Sequence, residues 1–215
     1  MPGVVSSSAP TRVPDGVIHT PRPLALAVVV SLRPEQWTKN LLVFAGLVFS
    51  GRLFDTSAVV AASSAFAIFC VLSGSVYLFN DVADRAADTR HPLKRSRPVA
   101  AGDLSTRAAV LLGVALAIGG VLAAFGVSTA FGTMAAGYVL ALTLYSSALK
   151  HAVIVDVLMI AAGFVLRAVA GAVVVQVPIS HWLLICTTLL ALFMALSKRR
   201  HELTDRKSTR LNSSH

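Results

Sequence analysis

Six blocks of apolar residues, at 37–54, 57–80, 108–126, 129–148, 152–175 and 180–196, constrain this chain more than any other feature. Each approaches the roughly 20 residues a helix needs to cross about 30 Å of hydrocarbon. Of 215 residues, 55% are hydrophobic and only 13% charged, which is a membrane composition. The breaks between the later blocks are short: Gly126 to Thr129, Lys150-His151, and Gln176 to Ser180. Short breaks imply compact antiparallel hairpins. The expected fold class is therefore all-α, a polytopic membrane helix bundle with six spans. Leu24 to Leu32 is apolar but too short to cross, and Arg33-Pro34 interrupts it, so it is read as lying at the membrane interface.

Charge then orients the bundle. The net charge is +9, yet the basic residues flank apolar blocks and show no interleaving with aromatics, so a nucleic-acid partner is not expected. Arg85, Arg90, Lys94, Arg95, Arg97 and Arg107 follow the second block, Lys150 the fourth, and Lys198, Arg199 and Arg200 the sixth; the opposite connections hold only Arg52. By the positive-inside rule these basic connections face the cytoplasm, as does the leader of residues 1–22, which has neither apolar periodicity nor the order of a signal peptide. Localisation in a bacterial plasma membrane, with all candidate chemistry on the cytoplasmic side, is expected. Cys70 and Cys186 both fall inside apolar runs, so no disulfide framework and no cysteine metal cluster is in prospect.

At the end of the second block stands Asn80-Asp81-Val-Ala-Asp84-Arg-Ala-Ala-Asp88. Asp81, Asp84 and Asp88 sit at i, i+3 and i+7, one stripe of a helix, where like charges repel and meet the negative end of the helix dipole. A positive partner is required, and two candidates present themselves: the basic run from Arg90 to Arg97, or a hard divalent cation that takes oxygen ligands and leaves sites for substrate phosphate. The cation is the primary reading. Pro92 disfavours helix at His91 before it, so the basic run is expected to turn away from the carboxylates and meet an anion of its own. An acidic stripe beside a basic loop suits magnesium diphosphate.

Inside the spans, away from their ends, the ionisable acid and base residues are Asp156 and Arg167, both in the fifth block. Such residues usually face a bundle interior. Eleven residues separate them, about 16 Å along a helix, which puts them on one face but beyond mutual pairing. They form a polar face leading inward from the cytoplasmic mouth. A transporter would call for broken spans and midplane ionisable residues, of which only Arg167 qualifies, and a structural subunit would leave three adjacent carboxylates unexplained. A transferase remains. Displacing diphosphate needs a carboxylate-held Mg²⁺ for the leaving oxygens and fixed cations for the other phosphates, and Lys39, Lys94, Arg95, Arg97 and Lys198 exceed what one diphosphate needs.

The acidic motif resembles the first aspartate-rich motif of the UbiA superfamily of membrane prenyltransferases. Arg33-Pro34-x-Gln36-Trp37-x-Lys39-Asn40, His91-Pro92-x-Lys94-Arg95-x-Arg97-Pro98, Leu149-Lys150-His151, Phe164-x-Leu166-Arg167-Ala168 and Lys198-Arg199 are similar to its phosphoribosyl-transferring branch. The resemblance covers residues 25–203 and implies a UbiA-type ring of nine helices, six of them present. It implies transfer of 5-phosphoribosyl from phosphoribosyl diphosphate to a polyprenyl (decaprenyl) phosphate, for a lipid-linked arabinose donor and cell-wall arabinan. It further implies Asn80, Asp81, Asp84 and Asp88 as magnesium ligands, and Lys39, Asn80, Lys94, Arg95, Arg97, Lys150, Asp156, Arg167, Lys198 and Arg199 as substrate-binding residues. Partners are then those two substrates and the bilayer, with homo-oligomerisation left open. Where ordinary members carry a second Asp-x-x-x-Asp, this chain has Lys198-Arg-Arg-His-Glu202, which favours the sugar donor. The alternative is a prenyltransferase using a polyprenyl diphosphate and an aromatic or other acceptor. Residues 23–203 are read as the membrane domain, and 207–215, which resemble translated sequencing-adaptor sequence, as a non-native tail of an N-terminal fragment.

Overall fold

A computed structural model describes residues 21–146, 153–179 and 181–212, and every regular element among them is helical. In order these are α1 (Leu24–Leu32), a 3₁₀ helix (Pro34–Phe44), α2 (Ala45–Phe49), α3 (Thr56–Asp88), α4 (Pro98–Ala101), α5 (Thr106–Val127), α6 (Thr129–Leu144), α7 (Val153–Val175) and α8 (His181–Asn212). The leader up to residue 20, the Lys150 turn and residues 213–215 lie outside the described residues, as do the side chains of Lys198 and Arg199.

α3 is the mast of the bundle. The Asp55 carboxylate caps it, accepting from the backbone N–H of Ser57 and Ala58 at 3.0 and 3.2 Å. The Ser57 hydroxyl and the Arg52 guanidinium beside it hold that carboxyl well below the usual carboxylate range. At 1.5 Å per residue the 33 residues of α3 extend about 50 Å, more than the hydrocarbon layer is thick, so the helix is long enough to reach past it. Ser105 and Ser128 cap α5 and α6 through their hydroxyls. Phe69, Leu72 and Val76 of α3 meet Val43, Phe131, Tyr138 and Val174 in the main core, with the Phe69 and Tyr138 rings edge to face at 5.3 Å. The far side of α5 shows Leu111, Ile118 and Leu122 outward, an apolar exterior that suits lipid.

One expectation needs correcting. Residues 37–54 do not form an α-helical span: after Arg33, in a left-handed conformation at φ 51°, the chain runs as eleven residues of 3₁₀ helix before the short α2. A 3₁₀ helix rises about 2.0 Å per residue, so the two pieces together extend about 30 Å with fewer residues than an α-helical crossing needs. Backbone packing accounts for this form. A Cβ on Gly171 of α7 would lie 1.9 Å from the Val43 carbonyl oxygen, and one on Gly46 would lie 2.7 Å from Ala172 Cα, so the segment rests directly on α7 through glycines. Among the described residues three helices are long and apolar enough to cross, Thr56–Asp88, Thr106–Val127 and Val155–Val175, while Thr129–Leu144 and Leu184–Met194 are apolar but shorter.

Candidate active site

The end of α3 that carries the acidic motif opens into a cavity of about 410 Å³. Tyr77 and Asn80 of α3, Lys39 of the 3₁₀ helix, Tyr138 of α6 and Tyr145 just after it, and Asp156, Gly163, Phe164 and Arg167 of α7 line it. Asn80 and Asp81, neighbours in sequence, face different ways. Asn80 meets the cavity, where its Oδ1 is buried without a hydrogen-bond donor, while Asp81 lines a separate, more polar crevice with Arg22, Arg33, Glu35 and Arg97.

Two of the three carboxylates, Asp81 and Asp88, converge on one guanidinium, that of Arg97. Asp81 and Asp88 are each 2% exposed. Arg33 donates to Asp81, and Arg97 donates to Asp88 at 2.7 Å while standing 3.6 Å from Asp81. This corrects the expectation that the basic run turns away: the chain bends back after His91, placing Arg97 just ahead of α4, and a buried carboxylate without a counter-charge would be far more costly than this bend. Arg33 is thus a partner of the acidic motif and also stacks 4.8 Å from the Tyr77 ring centre. Among the described residues no three His, Cys, Asp or Glu side chains gather closely enough to hold a metal by themselves. Lys94 and Arg95 are exposed on the turn and do not line the cavity.

At the depth of the cavity the polar face of α7 has different partners. Asp156 accepts from the Tyr145 hydroxyl at 2.5 Å. Arg167 donates to Asn40 Oδ1 at 2.7 Å, the Gly163 carbonyl at 2.7 Å and the Tyr138 hydroxyl at 2.6 Å. Asn40 is fully buried and donates in turn to Ser73 Oγ at 3.2 Å and Cys70 Sγ at 3.4 Å. The sequence placed Arg33 and Asn40 only within a family-like motif and gave Tyr138 and Tyr145 no part in the site. Asn40 had a legible signal, a polar amide inside an apolar block.

A smaller groove of about 200 Å³, lined by Leu42, Thr187, Leu190, Ala191 and Met194, adjoins the cavity through the shared residues Lys39, Phe164 and Met194. Together the parts make a cationic chamber with an acidic rim and an apolar side groove, an arrangement suited to a phosphorylated substrate and a lipid.

Residues 40–211 match the UbiA prenyltransferase family. The chain is 37% identical over 187 residues to decaprenyl-phosphate phosphoribosyltransferase of Mycolicibacterium smegmatis, covering 85% of this chain and 59% of that protein. It is likewise 37% identical to the protein of that name from Corynebacterium glutamicum, covering 85% and 56%. The chain thus spans less than two thirds of the length of these curated relatives. A UbiA homologue from Archaeoglobus fulgidus, solved with GPP and Mg²⁺ bound, superposes with a TM-score of 0.67 at 22% identity over 77% of this chain and 60% of that one, a likeness of fold. With four fifths of its residues inside the family match, this chain belongs to the UbiA prenyltransferase family.

Proposed function

We propose that the chain carries the donor-binding part of a cytoplasm-facing membrane transferase that moves 5-phosphoribosyl from phosphoribosyl diphosphate to a polyprenyl phosphate. Decaprenyl phosphate is the acceptor that the relatives' names indicate, and the product would serve as precursor of a lipid-linked arabinose donor for cell-wall arabinan. One observation carries the reading: a single cavity joins an unsatisfied buried amide oxygen beside an acidic motif to two cationic side chains, Lys39 and Arg167.

The residues present fit Mg²⁺. Asn80 Oδ1 is a buried acceptor lacking a donor, and Asp84, one turn on along α3, adds a carboxylate, so the donor set is all oxygen. Asn80, Asp84 and, once their arginines are drawn to substrate phosphate, Asp81 and Asp88 would hold the ion. When bound it supplies neutralising charge to the leaving diphosphate. The chain's own cations act alongside: Arg33 and Arg97 stand beside the carboxylates, and Lys39 faces the cavity. In the transfer an oxygen of the acceptor phosphate forms a bond to the anomeric carbon as the bond to diphosphate breaks, and diphosphate leaves with the electron pair. The acceptor is already an anion, so no general base is required. The side groove takes its hydrocarbon tail.

Incubation of the purified protein in lipid with labelled phosphoribosyl diphosphate and polyprenyl phosphate should yield lipid-linked ribose only when Mg²⁺ is present. Prenyl transfer to an aromatic acceptor, with no lipid-linked ribose, would overturn this in favour of the alternative, which the GPP bound to the A. fulgidus homologue and the apolar groove support. For orientation, a cysteine at Ser96 in a chain lacking Cys186 should resist an impermeant thiol reagent in intact cells; rapid labelling there reverses the topology.

A further inference from the structure

The depth of the cavity holds a charge that the chemistry at the rim does not use. Arg167 is 6% exposed, and its three bonded N–H groups meet only neutral acceptors. Among the described residues no carboxylate pairs with it. A guanidinium has five N–H donors, of which three are bonded among the described residues, so Arg167 brings a cation with further N–H groups to the cavity wall. It also lies 4.9 Å from the Tyr138 ring centre and 6.0 Å from that of Phe164, so the described groups around it are neutral; a buried cation with no anion beside it is costly, which makes the site one for an anion.

Asn40 keeps it that way. It stands behind the cavity wall, and its amide donates to Ser73 and Cys70 of α3, which turns Oδ1 toward Arg167 Nε. An aspartate would occupy the same space but cancel the charge. Gly163 leaves the guanidinium its room, since a Cβ there would come 3.2 Å from Nη1. Ser73, which anchors Asn40, and Asn80 at the acidic rim are seven residues apart on α3, about 10 Å along the helix. A sugar with diphosphate at one carbon and phosphate at the other end presents two anionic groups separated in that way.

The geometry points to Asn40 as a positioning residue that holds Arg167 as an uncompensated cation for the donor phosphate opposite the leaving diphosphate. This rests on the phosphoribosyl reading and deepens it into a selection rule. A donor with anions at both ends satisfies the rim and Arg167 together, whereas an allylic diphosphate would lay hydrocarbon against a buried charge.

The test is competition against labelled phosphoribosyl diphosphate in wild type and Asn40→Asp, using ribose 5-phosphate and inorganic pyrophosphate as competitors. In Asn40→Asp the inhibition constant of ribose 5-phosphate should rise about tenfold or more while that of pyrophosphate changes less than about twofold. The melting temperature should hold or rise, because the buried cation gains a partner. A merely structural role predicts a different pattern, equal loss for both competitors or none for either in folded protein, and either result overturns the inference while leaving the phosphoribosyl reading intact. If Asn40→Asp does not fold, Gly163→Ala, which displaces the guanidinium, must show the same split or the inference fails. A wild-type protein that binds neither competitor overturns the phosphoribosyl reading, and this inference with it.

Discussion

The acidic rim and the cavity floor solve the same problem, charge in a membrane bundle, in opposite ways. At the rim, carboxylates and guanidinium groups neutralise one another: Arg33 with Asp81, and Arg97 with Asp88 and Asp81. At the floor, Arg167 meets neutral groups among the described residues: an amide, a hydroxyl, a carbonyl, and the rings of Tyr138 and Phe164. Compensated charges can exchange partners when a phosphate arrives, because the arginine and the carboxylate each gain an equivalent ligand. An uncompensated charge held by neutral dipoles cannot relax in that way and presents one fixed demand. The rim is therefore suited to exchange and the floor to selection.

The largest expected effect lies at the rim. Asp84→Asn should lower transfer about 100-fold or more and abolish its dependence on Mg²⁺, read in a magnesium titration of initial rates. Near-normal turnover with unchanged magnesium dependence would remove the acidic motif from the chemistry. Next comes the contact that seats both regions: Gly171→Ala drives a Cβ into the Val43 carbonyl and should cost about 1–3 kcal/mol, seen as a lower melting temperature in detergent. Since Lys39 and Asn40 ride on the segment that moves, donor affinity should fall with it; unchanged stability would show that the 3₁₀ segment does not rest on α7 there.

Arg97→Ala should raise the Michaelis constant for the sugar donor about tenfold and leave that for polyprenyl phosphate nearly untouched, since a phosphate clamp acts on the group it holds. An equal rise for both substrates would make Arg97 a structural partner of Asp88 only. Lys94→Ala, on the exposed turn, should shift the same constant no more than about twofold. The smallest effect lies at the opposite end of α3. With the Asp55 carboxyl lowered in the fold, its stabilising contribution is present above the ordinary carboxylate value and is lost as pH falls, so the melting temperature should slip from about pH 4 downward in wild type but not in Asp55→Asn.

Much of this was legible in the chain. Hydropathy marked α3, α5 and α7 because a spanning helix must hide its backbone from lipid by itself, a demand that one segment meets alone. The acidic motif stood out at the end of α3 because carboxylates are rare in such a chain. Asp156 and Arg167 could be placed on one face of α7 from their spacing, and both line the cavity. The 3₁₀ form of Pro34–Phe44 was not legible, because the segment packs backbone to backbone on Gly171, more than a hundred residues away in α7.

By itself, then, the sequence determined an all-helical membrane chain, its acidic motif and its polar α7 face, since local composition and helical period are enough to specify each. Only the tertiary structure decided which charges meet. Arg33 and Arg97 come to the carboxylates, and Asn40 rather than a carboxylate comes to Arg167, because burial makes every charge and amide find a partner in three dimensions. That choice separates an exchangeable rim from a fixed floor, and no spacing along the chain encodes it.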